Sequence, residues 1–300
     1  MTAFFLKVIP LILAFFFGVF VRQVKLMQKD DASILLKLVL TATLPALALL
    51  AIIKVELKLD LLFLPFTAQM VVFMMYGVAF WVGKRLKLPT TTFGSFLVGC
   101  MIMNTGFSLP FFVAAFGTEG LVRASLFDLG NVFLIFTFIY YNAIKYGDNC
   151  DTCKIDWMKF VKLPPLWGLL IGLAIRITHW QVPEVGINFL ELIGQPTSAL
   201  IMIALGLIFE PKLKRLGAVM LGIILRMGVG LFFGWLLTVV FGIEGMTRTI
   251  IIAGSCTPVG FNTVIFANLE NMDREFAASM VSISILIALG FLPLIIWLFS

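Results

Sequence analysis

Charged side chains are scarce in this chain of 300 residues. Asp, Glu, Lys and Arg together make up 13% of it, about half of their share in a soluble protein. Hydrophobic residues make up 61%, and the mean hydropathy is +1.08. This composition excludes an ordinary soluble domain and indicates an integral membrane protein. The net charge of +6 reflects Lys and Arg in loops, so it predicts no binding of nucleic acid.

Histidine occurs once, at position 179, and cysteine four times. Cys100 and Cys256 fall in apolar runs, whereas Cys150 and Cys153 form a CxxC pair in a polar loop. A structural zinc site needs four ligands, and His179 lies in a different loop, so no metal site is predicted. A redox pair would need a thioredoxin-like context. We therefore interpret Cys150 and Cys153 as two reduced cysteines and His179 as an interfacial residue.

Motifs for nucleotide binding and for catalysis are also missing. The chain has no P-loop and no HExxH motif. Within the apolar runs, no two acidic residues lie three or four positions apart. An enzyme site would need such acid/base pairs, metal ligands or an activated nucleophile. The sequence therefore predicts no enzyme and no cofactor, and any transport would draw its energy from a gradient.

Long apolar runs are what the chain has in abundance. A membrane helix needs about 20 largely apolar residues, and by that criterion we predict an all-α membrane protein with ten spans and no soluble domain. The spans fall near 3–21, 33–53, 61–83, 93–116, 124–144, 163–179, 185–208, 215–240, 247–268 and 276–299. The first run contains Lys7 and lacks a small-residue cleavage site, so we interpret it as a span and not as a signal peptide.

Lys and Arg are distributed unevenly between the loops. Loops after the odd-numbered spans hold 15 of the 22, the opposite side holds six, and Arg226 lies inside span 8. Positively charged loops stay on the cytoplasmic side. We therefore predict a multi-pass protein of the cell membrane with both termini on the non-cytoplasmic side.

Spans 4 and 9 carry helix-breaking residues near their middle. Asn104–Pro110 reads NTGFSLP, and Ser255–Thr263 reads SCTPVGFNT. Proline cannot donate to the helical ladder, and a freed peptide group in lipid is costly unless it is buried in protein or lines a wet cavity. At 1.5 Å per residue, both breaks lie about 17 Å into a core about 30 Å thick. We predict two broken helices at the midplane, where transporters bind their substrates.

The two halves of the chain share a pattern. Spans 1 and 6 both read P-x7-G-x3-R, starting at Pro10 and at Pro164, an offset of 154 residues. Gly106 in span 4 and Gly260 in span 9 have the same offset, and the prolines in the middle of spans 2 and 7 are 151 residues apart. Five helices per half is an odd number, so the halves insert with opposite orientation. We predict two inverted five-helix repeats whose broken helices cross.

The two broken helices predict a binding site for a small organic anion. Half-helix N-termini offer N–H groups that suit a carboxylate, and half-helix C-termini offer carbonyls that suit a cation such as sodium. The alternative is that the polar side chains only satisfy the breaks. The predicted substrate-binding residues are Asn104, Thr105, Gly106, Ser108, Pro110, Thr257, Pro258, Asn262, Thr263 and Arg226.

Ionisable groups inside the spans are candidates for coupling or for support. Arg226, near the midplane of span 8, is a counter-charge for the anion, a tether within the domain that moves during transport, or part of an ion pair with Asp128 or Glu191. Asp128 and Asn131 lie one helical turn apart on span 5 and either couple protons or sodium or support the crossing. Glu191 and Gln195 share a face of span 7, where they either couple protons or cap a proline kink.

Several motifs together resemble one known family. They are N-x-G-x3-P at Asn104–Pro110, the FGxEG stretch at Phe116–Gly120, Asp128-x-x-Asn131 and Pro258-x3-Asn262, set in ten spans. With them the chain resembles the auxin efflux carrier family, which includes the plant PIN-FORMED proteins and bacterial permeases for small dicarboxylates. It is also similar in fold to bile-acid/sodium symporters. The long cytoplasmic loop of the plant members is missing here.

The resemblance implies a domain organisation and a function. It implies a scaffold domain at 1–60 and 161–210, a moving transport domain at 61–145 and 211–300, and a cytoplasmic linker at 145–162. It also implies homodimers that contact through the scaffold. The expected function is an elevator-type secondary transporter for a mono- or dicarboxylate in the lipid bilayer, driven by a substrate, proton or sodium gradient. The alternatives are a transporter-like sensor, a channel, or a sodium-coupled symporter of the bile-acid type.

Overall fold

The protein is described here from a computed structural model. The structure describes residues 2–54, 61, 63–147, 164–178, 180–209 and 215–300. Outside the described residues lie Cys150 and Cys153, which the sequence predicts to be reduced, most of the predicted linker, and His179. Within them every regular element is a helix, and the one β pairing is an isolated bridge between Met103 and Val259.

The described residues form fifteen α-helices, many of them continuous with a neighbour. The helices are α1 Thr2–Gln23, α2 Asp31–Leu38, α3 Leu44–Lys54, α4 Phe63–Arg85, α5 Thr90–Met101, α6 Thr105–Leu134, α7 Tyr140–Tyr146, α8 Pro164–Ile177, α9 Glu184–Gly194, α10 Thr197–Ile208, α11 Leu216–Ile223, α12 Gly230–Val240, α13 Gly245–Ser255, α14 Asn262–Leu269 and α15 Arg274–Phe299. Short π-helical turns at Val39–Thr43, Ile135–Ile139 and Ile224–Val229 join α2 to α3, α6 to α7 and α11 to α12.

Seven helical stretches in the described part of the chain are long and apolar enough to cross a membrane. They are Leu6–Gln23, Asp31–Ile53, Phe63–Arg85, Thr105–Tyr146, Glu184–Ile208, Leu216–Val240 and Arg274–Phe299. The prediction of an all-helical membrane protein is therefore confirmed. The number of ten spans, the inverted repeat and the crossing stay predictions.

Three predicted spans are absent from those seven because their helices are short. Span 4 is divided between α5 and α6 and span 9 between α13 and α14, while α8 of span 6 has 14 residues. The stretch Thr105–Tyr146 is 42 residues long, about twice what one crossing needs. The interruptions of spans 4 and 9 fall in the segments where the sequence predicts broken helices.

A kink at Gly117 divides the long helix α6. Gly117 has φ +63° and ψ −144°, a backbone conformation that glycine adopts far more readily than other residues. A Cβ on the nearby Gly120 would lie 2.6 Å from the carbonyl oxygen of Phe112, so the chain packs closely on itself across the kink. The FGxEG motif thus marks a turn between two helical segments.

Contacts within the chain group its residues into two units. The first consists of Met1–Leu61, Leu109–Ser125 and Val161–Phe209, and the second of Leu62–Ser108, Leu126–Phe160 and Glu210–Ser300. Which part of the chain moves stays a prediction.

In the first unit, α1 packs closely against α10. A Cβ on Gly18 would come within 3.0 Å of the Cα atom of Ile203, so only glycine permits this approach. Four residues further along α1, Arg22 donates hydrogen bonds to the carbonyl oxygens of Leu207 at 3.1 Å and Phe209 at 2.8 Å. The guanidinium therefore caps the C-terminal end of α10, where the helix dipole is negative.

The helices α8 and α3 of the first unit repeat this arrangement. A Cβ on Gly172 would lie 2.9 Å from the Cβ atom of Ile52. Arg176, four residues later, donates to the carbonyl oxygens of Ile52 and Ile53 at 3.5 Å, near the end of α3. Both helix pairs thus use a glycine for close packing and an arginine for capping, at positions that the sequence pattern matches.

In the second unit, α5 and α13 lie deepest. Every residue from Thr92 to Met101 and from Thr249 to Ser255 is buried. The helix α5 packs against α4, α7 and α15, and α13 packs against α4, α12 and α15. Both helices therefore end inside the second unit, at the interruptions that the sequence predicts.

Candidate functional site

Two helix interruptions form the centre of the second unit. The helix α5 ends at Met101 and α6 begins at Thr105, while α13 ends at Ser255 and α14 begins at Asn262. The segments between these ends, 102–104 and 256–261, are here called the first and the second interruption. Each helix end leaves peptide groups without an intrahelical partner, so both interruptions must bond elsewhere.

A short antiparallel bridge between Met103 and Val259 joins the two interruptions. The N–H of Asn104 donates to the carbonyl oxygen of Pro258 at 3.1 Å, and the N–H of Gly260 donates to a carbonyl of the first interruption at 3.1 Å. The two interruptions thus satisfy each other as two strands would, which keeps the freed peptide groups paired in an apolar interior.

Side chains flank this bridge on both sides. Asn131 on α6 donates to the carbonyl of Met103 at 3.2 Å and accepts the Met103 N–H at 3.4 Å. Ser284 on α15 accepts the N–H of Val259 at 3.0 Å. Sequence reasoning singled out Asn131 and missed Ser284. A signal existed, because Ser284 follows Asn131 by 153 residues, close to the offset that relates the two halves.

Asn104 connects both interruptions through its side chain. Its Oδ1 accepts the N–H of Phe107 at 3.2 Å, which caps the N-terminus of α6, and its Nδ2 donates to the carbonyl oxygen of Val259 at 3.3 Å. The residue is only 5% exposed. The amide therefore holds the bridge together, in addition to any contact with a substrate.

The first turn of α6 carries a polar network around Asp128. Thr105 donates its hydroxyl to Oδ1 of Asp128, and Asn131 donates to the same oxygen at 3.0 Å. Ser108 donates to the carbonyl oxygen of Thr105 at 2.9 Å. The network places the acidic group of Asp128 directly beside the candidate site.

Arg226 lies at the C-terminal ends of both broken helices. Its side chain is fully buried, and Nη1 donates to the carbonyl oxygens of Cys100 at 3.0 Å and Met101 at 3.4 Å. Nη2 donates to the carbonyl oxygen of Ser255. Among the described residues Arg226 therefore binds backbone carbonyls, and it forms no ion pair with Asp128.

The remaining predicted residues divide into accessible and buried positions. Gly106 is exposed, and the nearest atom to a Cβ placed there is Oδ1 of Asn104, 3.8 Å away. Asn262, the first residue of α14, is partly exposed. The second residue of α6 and the first residue of α14 therefore keep access to the surface, whereas Thr105, the first residue of α6, is buried.

Buried positions account for the other predicted site residues. Pro110 and Pro258 are buried, and the hydroxyl of Thr257 donates to the carbonyl oxygen of Gly254 at 3.0 Å. The hydroxyl of Thr263 is buried and has no hydrogen-bond partner among the described residues. It lies next to the second interruption, to which Thr257 and Pro258 belong.

Glu191 and Gln195 belong to the first unit. The N–H of Gln195 donates to the carbonyl oxygen of Glu191 at 2.9 Å, and the side chain of Gln195 is exposed. Pro196 follows directly and precedes the first residue of α10. The two polar residues thus stand at the end of α9, beside the proline that separates α9 from α10.

Arginine already occupies one kind of helix end at the interruptions, because the C-termini of α5 and α13 are bonded to Arg226. The other kind is the helix N-terminus, whose peptide N–H groups are electropositive. At α14 the N–H groups of Thr263 and Val264 donate to the carbonyl oxygens of Gly260 and Phe261 at 3.0 Å and 2.9 Å, so α6 is the better candidate. No group of three His, Cys, Asp or Glu residues that could hold a metal ion occurs in the described ranges.

Known proteins with similar sequences are membrane transporters. A family model described as membrane transport protein matches residues 3–297. An uncharacterized transporter of Methanocaldococcus jannaschii is 26% identical over 291 residues, which cover 94% of each chain. One of Methanothermobacter thermautotrophicus is 24% identical over 285 residues, or 92% of each chain. The ileal sodium/bile acid cotransporter of Oryctolagus cuniculus is 28% identical over 107 residues, which cover 34% of this chain and 31% of that protein.

Proposed function

The chain belongs to the membrane transport protein family, that of the auxin efflux carriers, and from this premise we propose that it is a secondary active transporter for a small organic anion. The substrate class is a mono- or dicarboxylate. The binding site lies at the two helix interruptions of the second unit, and the energy comes from an ion or substrate gradient.

The observation that carries this proposal is the exposed backbone of Gly106, the second residue of α6, beside the paired interruptions. The first N–H groups of a helix have no intrahelical partner, and the helix dipole makes that end positive. Gly106 is exposed there and carries no side chain that would block an approach. A substrate carboxylate fits such an end, and Asn262 on α14 adds a neutral polar group from the second interruption.

The Asp128 network supports proton coupling. Asp128 is hydrogen-bonded to Thr105, the first residue of α6. A negative Asp128 and a bound carboxylate would repel each other across this short distance. We assign Asp128 as the group that takes up a proton when the anion binds, with Asn131 as the support that keeps the carboxyl oriented.

Alternating access of the elevator type is the proposed mechanism. The moving domain would consist of 61–145 and 211–300, and the scaffold of 1–60 and 161–210, with 145–162 as the cytoplasmic linker. The glycine contacts and arginine caps within the first unit support a stiff scaffold. We further propose a homodimer through this scaffold, in the cell membrane, with both termini on the non-cytoplasmic side. Protease cleavage of terminal tags in intact cells tests the orientation.

Flux measurements in reconstituted vesicles test the function. Purified protein in liposomes is expected to take up a radiolabelled dicarboxylate or monocarboxylate saturably and to exchange it against internal substrate. Conductance that rises linearly with voltage, without saturation, would replace the carrier by a channel. Ligand-induced stabilisation without any flux would replace it by a sensor.

A further inference from the structure

The guanidinium of Arg226 occupies the point where the C-terminal ends of two helices meet. Nη1 bonds the carbonyls of Cys100 and Met101 at the end of α5, and Nη2 bonds that of Ser255 at the end of α13. Met101 and Ser255 are 154 residues apart, the offset that relates the halves of the sequence. One side chain therefore bonds matching carbonyls of both broken helices.

The charges at this point balance without any bound ion. A helix C-terminus carries about half of a negative elementary charge, so two C-termini together carry roughly one. The guanidinium of Arg226 supplies one positive charge to the same carbonyls. A monovalent cation bound to these carbonyls would lie close to the positively charged guanidinium of Arg226, which is bonded to the same carbonyls. The electrostatic repulsion between the two positive charges would be strong in this buried place.

The space around the guanidinium is built to hold it. Arg226 lies on the π-helical turn Ile224–Val229, and turns of this kind often mark functional sites. Gly230 follows the turn, and a Cβ there would lie 2.8 Å from Nη2 of Arg226. Only glycine therefore leaves room for the guanidinium to reach Ser255.

In other transporters with broken helices, carbonyl groups at such helix ends coordinate the coupling sodium ion or proton. We propose that Arg226 is a resident cation which takes the place of a bound sodium ion, so that this site works without sodium. A substitution that removes the guanidinium and leaves its space empty should therefore create a binding site for a small monovalent cation. The inference rests on the proposed function only in treating the interruptions as the transport site.

Thermal unfolding of the purified protein tests this without any transport assay. The Tm of the wild-type protein is expected to be the same in sodium chloride as in N-methyl-D-glucamine chloride of equal concentration. Arg226→Ala removes the charge and opens a cavity lined by three carbonyls, so its Tm is expected to fall. Millimolar guanidinium or sodium should then restore the Tm saturably, because a ligand that binds the folded state stabilises it.

Two controls separate a specific site from a general salt effect. Urea has the shape of guanidinium but no charge, and it should not restore Arg226→Ala. Arg226→Met fills most of the cavity, so its Tm should be low and should not respond to guanidinium. If Arg226→Ala cannot be purified, Arg226→Lys is measured instead, and it should have a lower Tm that is still independent of sodium.

Three results would overturn the inference: saturable stabilisation of the wild-type protein by sodium, a wild-type Tm for Arg226→Ala, or equal responses of Arg226→Ala and Arg226→Met to guanidinium. Failure of the transport proposal looks different. A protein that carries no anion but shows rescue of Arg226→Ala keeps the resident cation and loses the transport function. A protein with sodium-dependent uptake and a sodium-dependent Tm loses only the resident cation.

Discussion

Replacing Asn104 by alanine removes the two hydrogen bonds of its side chain, one to the start of α6 and one to the second interruption. The first caps α6 through the N–H of Phe107, and losing such a cap costs about 1 kcal/mol. The second bonds the buried carbonyl of Val259, and leaving a buried polar group unpaired costs about 1–3 kcal/mol. Together the loss is about 2–4 kcal/mol, because Asn104 is too deeply buried for water to replace it.

The assay combines thermal unfolding of purified Asn104→Ala with uptake by the same preparation in liposomes. We expect a folded protein with a lower Tm and with uptake abolished per folded molecule. Asp273→Ala is the comparison, because Asp273 caps α15 by accepting the N–H of Phe276 at 3.0 Å and stands apart from the interruptions in the chain. It should lower the Tm and retain uptake. Wild-type Tm and wild-type uptake in Asn104→Ala would refute the reasoning.

Three further substitutions test neighbouring features. Asp128→Asn keeps an oxygen that accepts the hydrogen bond from Thr105, so the protein should fold and exchange substrate. Uptake driven by a pH gradient should be lost, and retained pH-driven uptake would contradict the assignment of Asp128. Gly106→Leu places a large side chain at the exposed second position of α6 and should raise the KM for uptake several-fold, whereas Gly290→Leu, also in open space, should not. Equal KM values would remove Gly106 from the site. Gly117→Ala places a side chain on a backbone with positive φ, which costs about 1–3 kcal/mol. Gly77 is a helical glycine with free space around it, so the Tm of Gly117→Ala should fall further than that of Gly77→Ala.

Much of the helical architecture could be predicted from composition and from helix breakers. Asn104 and Pro258 lie within interruptions because proline and polar residues in an apolar run are costly for a continuous helix. The family was also identified from these motifs and is confirmed by a match over residues 3–297. Hydrophobicity and proline chemistry are local properties, so a single sequence contains them.

The bonding partners at the interruptions could not be predicted in the same way. For Arg226 the sequence left three roles open: a counter-charge for the anion, a tether within the moving domain, and an ion pair with an acidic side chain. The guanidinium bonds backbone carbonyls, and because every residue has a carbonyl, no residue type in the sequence identifies these partners. Ser284 escaped notice because serine is common in membrane helices and its contact with Val259 spans 25 residues. The kink at Gly117 was hidden because a glycine in an apolar run has no unique interpretation.

The bridge between Met103 and Val259 has a consequence for how the protein is made. The two residues are 156 positions apart in the chain, and a ribosome adds about 5–20 residues per second. Roughly 8–30 s therefore pass between the synthesis of the first interruption and that of the second. Asn131, in the first half of the chain, can already bond both peptide groups of Met103. The N–H of Asn104, which pairs with the carbonyl of Pro258, must meanwhile find water or another partner.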